Sequence, residues 1–186
     1  FITQDDQTSP LTTEPNRIPN PLALNLYTLG YNSLGKLTNL NDATKTNLST
    51  YLEQYRMLTD AINIKNAFVI NFQVEFEIST FKQYNNQIVL LQCISEIQNY
   101  FNIDKWQINQ PIIISEVMNL IGGVDGVQTI TNLNFTNVSG TSQGYSQYKY
   151  GFVKATRNGI IYPSMDPSIF ELKSPNTDIN GRVITY

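Results

Sequence analysis

The sequence predicts an α+β fold, with amphipathic helices packed on a small mixed or antiparallel sheet, an extended arm at the N-terminus and a β-hairpin region at the C-terminus. Three observations carry this. From Phe68 to Ile78 every second residue is apolar with polar side chains between them except at Val69, the segments on either side place apolar residues at helical spacing, and an Asn-Gly pair sits between two β-prone runs near the C-terminus.

Residues 1–40 hold prolines at 10, 15, 19 and 21 and few apolar clusters, so they read as an extended arm. In NLNDATKTNLSTYLEQYRMLTDAI, Asn41 or Asp42 is available as a helix cap, and Leu48, Leu52, Tyr55 and Leu58 follow at helical spacing with Tyr51 beside them; the helix is expected to end near Ile62. In the strand that follows, Phe68, Ile70, Phe72, Val74, Phe76 and Ile78 form the inner face, and Val69, Asn71, Gln73, Glu75 and Glu77 the wet one. The segment YNNQIVLLQCISEIQNYFN predicts a second helix capped by Asn85 or Asn86. Its apolar side is Ile88, Leu91, Ile94, Ile97 and Phe101, widened by Leu90 and Cys93.

After Trp106, Pro111 suits a first helical turn, and Ile113, Val117, Leu120 and Ile121 form a stripe. Gly122 then reads as the residue just past the helix, and Val124–Val127 as a tight turn into a strand with Val127, Thr129, Thr131, Leu133 and Phe135 on one parity. Residues 136–150 are polar enough for a loop. GFVKAT and IIYPS flank Asn158–Gly159, whose tolerance of positive φ suits a type I′ hairpin turn. The tail adds one or two short strands around Gly181. The organisation expected is an arm over 1–40, an α/β core over 41–136 and a β-rich segment over 137–186.

Composition narrows the function. Hydrophobic residues make up 41% of the 186 and charged ones only 15%, so the polar positions are filled by Asn, Gln, Ser and Thr, as suits a protein packed against others. The chain has no histidine and one cysteine, Cys93, which removes the commonest metal ligand and general base and leaves no intramolecular disulfide. A net charge of -3 argues against a broad grip on nucleic acid. No apolar run approaches the ~20 residues of a spanning helix. The chain begins at Phe1 with no signal-like pattern and reads as part of something longer.

Each local motif has a plain reading beside a chemical one. Gly122, Gly123 and Gly126 resemble a phosphate cradle only in composition, because such a loop precedes a helix and here the glycines follow one, with Asp125 among them. They read as structural turn residues, as do Asn158 and Gly159. YKYGFVKATR has the aromatic and basic mixture of an RNA-binding strand, but Lys149, Lys154 and Arg157 read as solvated hairpin charges. Glu75 and Glu77 share a strand face about 7 Å apart, a spacing within reach of glycoside chemistry and commonplace on wet faces. Tyr145, Tyr148 and Tyr150 could stack on a sugar or line an interface. Cys93 reads as a small core residue. No catalytic, cofactor or metal site is predicted, and no small-molecule substrate.

The runs YLEQYRMLTDAINIKNAFVINFQVEFEI, NYFNIDKWQINQPIIISEVMNLIGGVDGVQTI and YGFVKATRNGIIYPSMDPSIFELKSPNTDINGRVI carry a family likeness. From about residue 22 onward the chain resembles the C-terminal region of the inner baseplate wedge subunits of T-even-type and marine contractile-tailed phages, in the baseplate J-like family. The resemblance implies a non-enzymatic virion structural protein, assembled in the host cytoplasm, that associates with copies of itself and with other wedge proteins to build the ring around the tail hub. It lacks the family's N-terminal half and transfers no catalytic residue. Self-association is expected through Tyr51 and Tyr55 on the first helix or through the C-terminal hairpin. The alternative is a carbohydrate-binding tail module using Tyr145 and Tyr148.

Overall fold

In a computed structural model of the chain, residues 1–4, 23–55 and 61–184 are described; Leu58 and the prolines at 10, 15, 19 and 21 lie outside them. Helices and small sheets of mixed direction occur together, which makes the fold α+β. The chain forms two compact units, Phe1–Phe68 with Met165–Ser168, and Val69–Ser164 with Ile169–Tyr186. The boundary expected after residue 40 falls inside the first unit and that after 136 inside the second.

The first unit contains β1 (Ile2–Gln4), β2 (Ala23–Thr28), β3 (Gly30–Tyr31), β4 (Leu37–Thr38), α1 (Asp42–Glu53) and β5 (Ala61–Asn66). β2 is central in its sheet, antiparallel to β1 and parallel to β5. Its Ala23, Asn25 and Tyr27 point inward and are buried. The buried Asn25 accepts a hydrogen bond from Asn63 directly opposite on β5, at 3.3 Å, which offsets the cost of taking an amide out of water. At α1, Asn41 Oδ1 accepts from the Thr44 amide at 2.7 Å and so fixes the start. The helix ends at Glu53, short of the expected Ile62: Ala61–Asn66 pairs residue by residue with β2, and that ladder overrides the helical spacing of the apolar residues.

The second unit is organised by β6 (Phe68–Thr80), a 13-residue strand. Then follow α2 (Asn86–Tyr100), β7 (Ile112–Ile113), α3 (Ile114–Gly122), β8 (Val127–Asn137), α4 (Phe152–Ala155), β9 (Thr156–Arg157), β10 (Ile160–Ile161), β11 (Ser168–Glu171), α5 (Pro175–Asp178) and β12 (Ile179–Val183). β6 pairs with β8 antiparallel, with β12 parallel, and with β11. Its predicted inner face holds over Ile70, Phe72, Val74, Phe76 and Ile78, all buried. The Phe72 ring lies 5.0 Å from Phe101, 6.1 Å from both Phe135 and Phe152, and 6.2 Å from Phe170, so residues far apart in the chain close one aromatic cluster.

Several expectations need correction here. On α2 the buried series is Val89, Cys93 and Ile97, continued by Phe101, whereas Ile88 is 57% and Leu91 65% exposed. The helix carries overlapping apolar stripes, and the one with the smaller Val and Cys faces inward. Asn85 is its cap, with Oδ1 accepting from the Gln87 and Ile88 amides. Pro111 lies before β7 and not in a first helical turn, because Ile112 and Ile113 pair with Ile161 and Ile160 of β10.

On β8 the single parity fails. Its register against β6 shifts between Glu77 and Ile78 and again between Ser79 and Thr80, so Val127 and Phe135 are buried while Thr129 and Thr131 are exposed. GFVKAT is not a continuous strand: Phe152–Ala155 is a helical turn that drives Phe152 into the Phe72 cluster, and only Thr156–Arg157 joins the hairpin.

Two core substitutions test this packing. Phe72→Ala should cost about 3–5 kcal/mol in urea unfolding through the cavity it leaves. At Gly181 an added Cβ would lie 2.7 Å from Leu90 Cδ1 and would also overlap the Phe76 ring. Gly181→Ala should therefore destabilise by about 1–3 kcal/mol, and an unchanged midpoint would refute the close approach of α2 to β12.

Candidate interaction surfaces

The glycines after α3 end a helix and turn the chain. Gly122 is the last helical residue, and Gly123 caps it with φ -79 and ψ -9, its amide donating to Asn119. Neither is left-handed, so Gly122 is not the post-helical residue expected. The positive φ falls at Gly126, at 99, where a Cβ would meet Val89 Cγ2 at 2.7 Å and the Tyr84 ring at 2.8 Å. The Val127 amide donates to Val124 O at 3.1 Å, closing the tight turn, and the Gly126 carbonyl accepts from Phe81 at 3.0 Å. The order helix, glycines, strand turns no helix N-terminus toward an anion.

Asn158 and Gly159 have φ of 52 and 75, and Arg157 pairs with Ile160 across them, which is a two-residue type I′ turn. Here Asn supplies the first left-handed position and Gly the second.

Tyr51, in the last turn of α1, and Tyr55, two residues past its end, stand together with ring centroids 5.2 Å apart, and 57% and 71% of their surface is exposed. No residue of α1 is buried. A hydrogen bond with Tyr51, and then slight desolvation, raises the Tyr55 phenol above its ordinary value.

The tyrosines of the polar loop are drawn into the fold. The Tyr145 hydroxyl donates to Asp178 Oδ1 at 2.6 Å, and Asp178 Oδ2 accepts from the Ser174 amide at 2.7 Å. The Tyr148 amide donates to Ser146 Oγ at 3.2 Å. The Tyr150 hydroxyl donates to the Tyr162 carbonyl, and its ring packs 5.2 Å from Phe152 and 5.6 Å from Phe170. Tyr145 and Tyr148 are both partly covered.

What sequence reasoning missed is the polar centre holding this loop. Asn71 was expected on a wet face and is buried instead. Its Nδ2 donates to Glu171 Oε2 at 2.8 Å, its Oδ1 accepts from the Ser146 amide at 2.7 Å, and its carbonyl accepts from Asn137 Nδ2 at 2.8 Å. Asn137 Oδ1 in turn accepts from the Tyr150 amide at 3.0 Å. The one signal available was an amide inside a strongly apolar strand.

Glu75 and Glu77 border a shallow groove of about 310 Å³, lined also by Asn132, Asn180 and Arg182. Arg182 pairs with Glu77, so the groove sets one exposed carboxylate beside an ion pair and is not a pair of matched acids. Tyr100 donates to Glu116 Oε2 at 2.6 Å; burial, then that bond, pushes its phenol well above the usual range. Burial pushes the Cys93 thiol up to about 11, consistent with a core position. Among the described residues no cluster of metal-ligating side chains occurs, and no helix is long and apolar enough to cross a membrane. Comparison with models of known protein families and with curated proteins finds no match.

Two solution tests follow from the shifted groups. In folded protein Cys93 should resist thiol labelling at mildly alkaline pH and react only on unfolding; rapid labelling of native protein would contradict its burial. The folded state holds the Tyr100 proton more tightly than the unfolded chain, so this stabilisation is present below the ordinary phenol range near ~10 and is lost as pH rises above it. Tyr100→Phe should cost about 1 kcal/mol at neutral pH and flatten the alkaline decline measured by urea unfolding.

Proposed function

We propose that this chain is a structural subunit of a phage tail baseplate wedge, which associates with its own copies and with other wedge proteins around the tail hub and performs no catalytic step. The observation that carries the reading is α1. Its 12 residues include no fully buried side chain, only a half-buried edge at Lys45, Leu48, Ser49 and Leu52, and Tyr51 pairs in the open with Tyr55 just past the helix end. Isolated helices of this length are marginal in water, and tyrosines are enriched where proteins meet. The likeness to baseplate J-like wedge subunits points the same way, as does an amide-rich surface with few charges. The Asn158–Gly159 hairpin is the second candidate face, and the site of action on this reading is the virion baseplate.

Molar mass across a concentration series is the test. A dimer or larger closed species that dissociates in the Tyr51→Glu, Tyr55→Glu double variant places the contact on α1. A dimer unaffected by that variant moves it to the hairpin. A strict monomer at high micromolar concentration overturns self-association of this chain.

A further inference from the structure

The chain contains Asn-Gly at 158–159 and again at 180–181, and by sequence alone the two are chemically equivalent. Asn followed by Gly is the pair most open to intramolecular ring closure, because glycine presents no side chain to shield its amide nitrogen. The fold treats the two differently, and we propose that Asn158 is a site of spontaneous deamidation and isoaspartate formation while Asn180 is protected.

At the hairpin tip both Asn158 and Gly159 are exposed, and nothing lies within 4 Å of the position a Gly159 Cβ would take. Arg157 and Ile160 form the last ladder pair, so the Gly159 amide lies inside the loop and outside the ladder. β10 (Ile160–Ile161) is also held by β7, and the Gly159 carbonyl accepts from the Ile114 amide at 2.9 Å, but β9 contributes only Thr156–Arg157, and so short a pair opens locally at low cost on the Asn158 side. The tip therefore reaches the extended backbone that brings the Gly159 nitrogen up to Asn158 Cγ without unfolding the unit. Asn180 instead lies in β12, in parallel register with Glu75 of β6, and its Nδ2 donates to Thr177 O at 3.3 Å. Gly181 beside it is pressed against Phe76 and Leu90, so rotation of that peptide requires α2 and β6 to part.

The chemistry needs only water. The Gly159 amide nitrogen, its proton lost to hydroxide, forms a bond to Asn158 Cγ. The Cγ–Nδ2 bond breaks, and Nδ2 leaves as ammonia with a proton from solvent. Water then opens the succinimide at either carbonyl, giving aspartate or isoaspartate, with no change of oxidation state. Isoaspartate carries the main chain through Cβ, which lengthens the turn by one methylene and removes the two-residue type I′ geometry on which the β9–β10 register depends. The buried pairing of Ile161 with Ile112 of β7 lies directly behind it.

The test is incubation of the folded chain at mildly alkaline pH, followed by peptide mapping after cleavage at lysine and arginine, which places the two asparagines on separate peptides. Fragment masses locate the conversion, and enzymatic methylation of isoaspartate identifies the product. Asn158 should convert at least about tenfold faster than Asn180 in the folded chain, and the two should converge in denaturant, where local opening no longer separates them. Equal rates in the folded state, faster conversion at Asn180, or no conversion at Asn158 would each overturn the proposal. A difference that persisted unchanged in denaturant would also overturn it, by showing that neighbouring sequence and not the fold sets the rates.

Discussion

The second unit depends on how Phe72 is buried. A strand can present a ring to a core only if both of its edges and the facing layer are supplied by other parts of the chain. Here β8, β11 and β12 supply the edges, and α2, the helical turn at Phe152 and the end of β8 supply the rings around it. The Phe101, Phe135, Phe152 and Phe170 contacts span most of the unit's sequence, so the loss of the Phe72 ring removes packing from all of these segments at once. Gly181 belongs to the same constraint, since α2 approaches β12 closely only where β12 has no side chain.

The abundant amides do more than face water. Asn41, Asn85 and Asn102 cap helical segments, and Asn32 accepts from the Leu34 and Lys36 amides to hold the β3–β4 turn. Asn71 and Asn137 hold the polar loop from within. An uncharged amide both donates and accepts without the desolvation cost of an ion, which suits a chain of low charge whose loops must be fixed. A loop pinned this way keeps its tyrosines partly covered, which favours the more exposed Tyr51 and Tyr55 over the Tyr145–Tyr150 segment as a contact surface.

Several side chains that could do chemistry are engaged within the fold. Glu77 is paired with Arg182, Asp178 accepts from Tyr145 and from a backbone amide, Glu116 accepts from Tyr100, and the Cys93 thiol is buried. The tyrosine pair at the end of α1 and the tip of the hairpin at Asn158–Gly159 stand in the open, as do Leu34, Ile88, Leu91, Val153 and Met165.

The sequence by itself determined the features set by local chemistry: the alternation that makes β6, a cap at Asn41 or Asp42 and another at Asn85 or Asn86, the glycine stop after α3, and the type I′ turn at Asn158–Gly159. Each depends on residues within a few positions of one another, so the signal is complete in the chain. The tertiary structure alone decided which apolar stripe of α2 turns inward, where α1 gives way to β5, the shifts of register along β8, and the burial of Asn71. In each case the local pattern allowed two conformations or faces, and a partner distant in sequence chose between them: β2 for the end of α1, β6 for β8, and Glu171 with Ser146 for Asn71. The face of α1 belongs to both. The tyrosines were visible at helical spacing, but their exposure became evident only from the fold.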